Sequence, residues 1–212
     1  MLWRRRIEGL APLAFGQNAM PNTTPDARPW EAPPGQGARL VEECEMWLKA
    51  HIARLGAKAC GAAYKEASTL PSDYRSYLQE VPLSAQFWND DVVFPVDPLP
   101  GLPDGWDTLA SLFGWAFIRG NELIYENEVY NSDYKGFHDS DIFDDYFIIG
   151  ASYSDFPVLL KLTQPCQGSI VLWDRYSNIP DGSDKGNVYA IAGTFSAFIE
   201  SLRKTGDLGS KT

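Results

Sequence analysis

Three short apolar segments follow one another with very little chain between them, and they constrain the fold more than any other feature. Tyr146-Phe147-Ile148-Ile149-Gly150, Pro157-Val158-Leu159-Leu160-Lys161-Leu162 and Ser169-Ile170-Val171-Leu172-Trp173-Asp174 have strand length and strand composition. The links between them are built on Ser152-Tyr153-Ser154-Asp155 and Gln164-Pro165-Cys166-Gln167-Gly168. A parallel crossover needs about a dozen residues or more, so links this short make the three strands antiparallel neighbours. A further strand is expected over 187–192. A closing helix follows, with Thr194 as its cap and Phe195, Phe198, Ile199 and Leu202 as its apolar stripe.

Helices precede the strands. Leu40, Val41, Cys44, Trp47, Leu48, Ile52 and Leu55 recur at helical spacing, which predicts an amphipathic helix over 38–55 that stops at Gly56. His51 lies at the edge of that stripe and reads as a packing residue. Pro71 suits the first turn of a second helix, whose apolar face is Tyr74, Tyr77, Leu78 and Val81, with Pro82 as its end. Val92, Phe94 and Val96 alternate as a strand. A loop is expected over 98–103 and a brief helix after Asp104, carrying Leu109, Leu112 and Phe113. Residues 115–130 read as one or two strands with a turn near Gly120-Asn121. Together these elements give a single α+β domain with an antiparallel-rich mixed sheet and helices packed mainly on one face. Its bounds are 37–205. Residues 1–36, with six prolines, form a flexible proline-rich segment, and 206–212 a disordered tail.

The groups that carry chemistry are sparse. Cys44, Cys60 and Cys166 are odd in number and form no CxxC pair, so reduced thiols and a cytoplasmic location are expected. The two histidines, His51 and His138, are too few and isolated for a zinc site. Asp139-Ser140-Asp141 and Asp181-Gly182-Ser183-Asp184-Lys185-Gly186-Asn187 resemble the start of calcium loops. The first lacks the glycine pivot, and the second has Lys185 at its fifth position and Ala192 at its twelfth. His138-Asp139 has no activated nucleophile or GxSxG elbow beside it, and Walker and dinucleotide glycine motifs are missing. No catalytic residue, metal or cofactor is therefore expected. No apolar run approaches the roughly 20 residues of a membrane helix. The opening resembles a signal peptide, but its apolar part is short, holds Pro12 and lacks a small-x-small site. The better account is an unstructured leader, or a start codon upstream of a true one at Met20.

What the sequence does offer is an acidic, aromatic surface. Residues 122–155 hold nine acids against Lys135 alone, interleaved with tyrosines and phenylalanines. A net charge of −10 argues against direct contact with nucleic acid and for a basic partner, though solubility alone also favours such a charge. Acids steer a basic surface inward, and tyrosines anchor it at low entropy cost. The contact face is expected to be Glu126, Glu128, Tyr130, Asp133, Tyr134, Asp139, Asp141, Asp144, Asp145 and Asp155. The plainer alternative is a solvated sheet edge with ordinary loop acids.

Taken in order, Leu70-Pro71-Ser72-Asp73-Tyr74 leading into Tyr77-Leu78, then Phe147-Ile148-Ile149-Gly150, Val158-Leu159-Leu160-Lys161-Leu162, Gly168-Ser169-Ile170-Val171-Leu172-Trp173-Asp174 and Thr194-Phe195-Ser196-Ala197-Phe198-Ile199 resemble the SUKH superfamily over about residues 40–204. That family includes a fungal cell-wall assembly regulator and many bacterial immunity proteins. The chain departs from it where Glu80-Val81-Pro82-Leu83 replaces a glycine-rich turn, and over a long middle region, 83–140, where partner specificity is expected. The resemblance implies an α+β fold without catalytic residues. It also implies an immunity protein that binds a cognate toxin domain with a basic cleft, of nuclease or nucleotide-modifying type. The alternative it carries is a regulatory or scaffolding module with endogenous partners.

Overall fold

The chain opens on a helix, α1 (Leu2–Leu10), in the computed structural model, which describes residues 2–10, 32–56, 64, 67–87, 92–96, 105–116, 120–133, 142–174 and 188–208. This corrects the expected flexible leader over its first residues. Trp3, Ile7 and Leu10 recur at helical spacing, and Ile7 and Leu10 are buried in the main core. Arg6 fixes the helix from its polar side, donating to the Glu200 and Leu202 carbonyls at 3.2 and 2.9 Å.

Helix α2 (Gln36–Leu55) buries Leu40, Val41, Cys44, Trp47, Leu48 and His51, and gives way at Gly56, whose φ of 56° only glycine adopts without strain. His51 stacks on Trp47 at 4.9 Å, as a packing residue should. Helix α3 (Ser72–Glu80) starts after Pro71 and buries Tyr74, Tyr77 and Leu78.

The strands are β1 (Ala85–Gln86), β2 (Val92–Pro95), β3 (Trp106–Leu112), β4 (Trp115–Ala116), β5 (Gly120–Asn121), β6 (Tyr146–Ser152), β7 (Pro157–Lys161), β8 (Ile170–Trp173), β9 (Val188–Ala192) and β10 (Arg203–Lys204). Eight of them form one sheet in the order β10-β2-β3-β6-β7-β8-β9, with β1 also pairing β3. β4 and β5 form a small ladder of their own. Every ladder is antiparallel, including β6–β7 and β7–β8, as the short links require. The remaining helices are α4 (Glu122–Asp133), α5 (Ile142–Asp145) and α6 (Phe195–Ser201). Thr194 caps α6 by accepting from the Ala197 N–H at 3.1 Å.

Three expectations are corrected. Residues 106–112 form a strand rather than a helix. The three-residue spacing of Leu109 and Leu112 mimics a helix because a bulge between Leu109 and Ser111 returns both side chains to the buried side. Among the described residues of 115–130, only 115–116 and 120–121 are strand, and 122 onward is α4. Residues 205–208, which include the start of the expected tail, form a 3-10 turn.

The sheet is apolar on both faces. Phe147, Ile149, Val158, Leu160, Ile170 and Leu172 belong to the main core with α1, α2, α3 and α6. The alternate residues Ile148, Leu159, Val171 and Trp173 make a second, smaller cluster, with Tyr130 and Tyr146 packed on it. Strand alternation thus places one residue set on each face.

Candidate protein-interaction face

The acidic, aromatic stretch is organised by α4. Asn121 caps this helix, its Oδ1 accepting from the Ile124 N–H at 3.2 Å, while its Nδ2 donates to Glu43 of α2 at 3.0 Å. Ser84 Oγ donates to Glu122 at 2.5 Å, and the Leu123 N–H donates to the Gly114 carbonyl at 3.3 Å. Leu123 is buried in the main core, with Ile124 packed against it, and Tyr130 reaches the second cluster. The helix therefore has no single apolar side, since it touches both clusters.

Asn127 locks the helix to the sheet. It is fully buried. Its Nδ2 donates to the Leu123 and Ile148 carbonyls at 2.8 and 2.9 Å, and its Oδ1 accepts from the Ile148 N–H at 2.9 Å. The side chain thus exchanges both backbone hydrogen bonds of Ile148, as a residue of a neighbouring strand would. It does so just beyond the β3–β6 ladder, whose last pair is Leu112 with Gly150.

What α4 turns outward is Tyr125, 45% exposed, with Glu128 exposed and Glu126 half-buried. Tyr125 and Glu128 stand three positions apart and so share one helical side. Of the expected contact residues, Glu126 and Glu128 lie on this helix; Tyr125 is not among them.

The other expected residues divide. Tyr130 is half-buried against the second cluster and serves packing. Asp144 is buried, which corrects its expected place on a charged contact face. Asp145 is half-buried and accepts from Thr163 Oγ1 at 3.1 Å, while its carbonyl accepts from the Leu162 N–H at 2.8 Å, closing the end of β7. Burial, and then the Asp145 carboxylate, raise the phenol pKa of neighbouring Tyr146. Asp155 is exposed but occupies the β6–β7 turn at a φ of 62°, a conformation aspartate tolerates. It lies at the opposite end of that hairpin from Asp145, about 20 Å away along the strand. The ten residues therefore do not form one face. Asp133 belongs to α4. Tyr134, Asp139 and Asp141 lie outside the described residues, as do His138, Cys60 and 181–187. Among the described residues no group of three or more His, Cys, Asp and Glu side chains is placed to hold a metal.

A second convergence was not read from spacing. Asp73, at the start of α3, accepts from the Ser196 N–H and Oγ at 2.8 and 3.1 Å, and so caps α6 from another helix. Tyr74 and Tyr77 pack on Phe195 at 4.7 and 4.8 Å. Gly168, at a φ of 87°, lies beside Pro71, whose ring would be in ordinary contact, at 3.5 Å, with a Cβ at that position. The Leu70–Tyr74 segment, the Gly168 turn and the Thr194–Ile199 helix, far apart in sequence, meet at one junction.

Comparison with protein-family models, with curated proteins and with solved structures finds no match for this chain.

Proposed function

We propose that the chain is a non-catalytic binding module of immunity type, which neutralises a cognate bacterial toxin domain by covering its basic cleft. The observation that carries this reading is the outward face of α4. It presents an exposed tyrosine beside acids on a backbone fixed by Asn121, Asn127 and Glu122. A rigid aromatic anchor with an acidic rim is the composition that binds and steers toward a basic partner.

The contact set is accordingly Tyr125, Glu126 and Glu128. Asp144 and Asp145 act in the fold. The test is binding between this chain and the C-terminal domain encoded by the adjacent gene, at low and moderate salt. Tight binding that weakens with salt, and that Tyr125→Ala reduces by about tenfold or more, is the expected result. Absence of binding overturns the immunity reading and leaves the regulatory module with endogenous partners. Binding unaffected by Tyr125→Ala and Glu128→Lys overturns the placement on α4.

A further inference from the structure

The two edges of the main sheet differ. One edge, β10, is two residues long and both are basic, Arg203 and Lys204. Short charged edges of this kind repel further strands. The other edge, β9, is the five-residue strand Val188-Tyr189-Ala190-Ile191-Ala192, without a charge, a proline or a glycine. It pairs with β8 on one side and, among the described residues, with no strand on the other. An open edge of this composition is a template for another strand.

We infer that β9 pairs with the β9 of a second copy of this chain, antiparallel and about a two-fold axis through Ala190, joining two sheets into one. The sequence is complementary to its own reverse. In this register Val188 faces Ala192 of the second copy, Tyr189 faces Ile191, and Ala190 faces Ala190. Each larger aliphatic residue meets a small one, the aromatic meets a β-branched residue, and like charges are never opposed. Ala190, at the axis, is the exposed residue of the strand. The β8–β9 register shifts at Ile191, a bulge that increases the local twist of this edge and limits how far the pairing can run. The interface is isologous and closes as a dimer, so the pairing does not propagate. A five-residue strand pair is small, and each protomer carries −10, so the association is weak and needs screening salt.

The experiment is sedimentation velocity of the full chain over a concentration series at about 0.15 M salt, where charges are screened over about 8 Å. Wild type is compared with Ala190→Lys, and circular dichroism checks that this variant keeps the fold. Ala190→Lys places two cations opposite each other at the axis, and dissociation about tenfold or more easier is expected. A second measurement reads the register. In a background with Cys60 and Cys166 replaced by serine, Ala190→Cys puts two thiols directly across an antiparallel pair, at a Cα separation of about 4.5–5.5 Å that a disulfide spans. Val188→Cys puts its pair about 13 Å apart, which a disulfide does not span. Concentration-dependent dimers, loosened by Ala190→Lys and cross-linked at position 190 but not 188, support the inference. A wild type that stays monomeric throughout overturns it. So does a dimer indifferent to Ala190→Lys, or one without the cross-link at 190.

Discussion

Replacing Asn127 with alanine tests whether α4 is held by the sheet. Among the described residues the side chain makes three hydrogen bonds, and two of them satisfy the N–H and carbonyl of Ile148, a residue with no exposure. Alanine leaves both Ile148 groups buried without these partners. Each such group costs about 1–3 kcal/mol, so the loss for the two is about 2–6 kcal/mol. For a chain of this size that lowers the melting temperature by roughly 10 °C. Chemical denaturation reads it as a lower midpoint at an unchanged slope, and hydrogen exchange as faster exchange at the Ile148 amide. Asn127→Asp separates the two halves of the contact. It keeps the acceptor for the Ile148 N–H but turns a carboxylate oxygen toward two carbonyls that need a donor. That environment raises the folded-state pKa of the new carboxyl above its unfolded value of about 3.9. A group with a raised folded pKa has its full stability below the unfolded pKa and loses it as pH rises through the folded one. Relative to wild type, Asn127→Asp therefore gains stability as the pH falls from 7 toward 4. A loss under about 1 kcal/mol for Asn127→Ala, or an Asn127→Asp profile parallel to wild type, refutes the argument.

Four further outcomes follow from burial and exposure. Gly150→Ala places a Cβ onto the Ser111 carbonyl and 3.2 Å from Leu112 Cδ2 in the β3–β6 ladder, so it costs about 2–3 kcal/mol in a denaturant titration. Burial pushes the Cys44 thiol up to about 12 and also raises Tyr74 and Tyr77. The unfolded chain releases these protons first, so stability is full below about pH 9 and falls above it by about 1.4 kcal/mol per pH unit for each ionising group, which an alkaline unfolding series measures. The same burial shields Cys44, so a thiol reagent modifies exposed Cys166 in the native protein and reaches Cys44 only on unfolding. Charge reversal discriminates face from fold: Glu128→Lys leaves stability within about 0.5 kcal/mol and slows association with a basic partner, whereas Asp144→Lys lowers the melting temperature because it forces a long cation into a buried site.

The regular periods were legible in the sequence, and the departures from them were not. The helix over 36–55, the hairpins through β6, β7 and β8, and α6 with its Thr194 cap carry clean spacing and local turn or cap chemistry, so sequence pattern and tertiary burial agree. β3 defeated the same reasoning because its bulge turned a strand's two-residue repeat into a three-residue step. α4 defeated it for a different reason. A helix that touches two clusters has no single apolar side, so tyrosines that pack on the sheet and tyrosines that face water look alike in the chain. The acids show the same ambiguity. Asp144 and Asp145 stand next to Tyr146 in a run that reads as surface charge, yet one is buried and the other is drawn into a hydrogen bond at the end of β7. Charge density along a chain thus reports how many acids a segment has and not which way they point. Direction comes from the partner that holds the backbone, and here that partner is Asn127. It is a neutral polar residue four positions after buried Leu123, a position where burial without hydrogen bonds is costly. An amide on the inward side of a helix was the one local sign that this segment is pinned to the sheet. Once it is pinned, Tyr125 and Glu128 are left facing outward by the helical period alone.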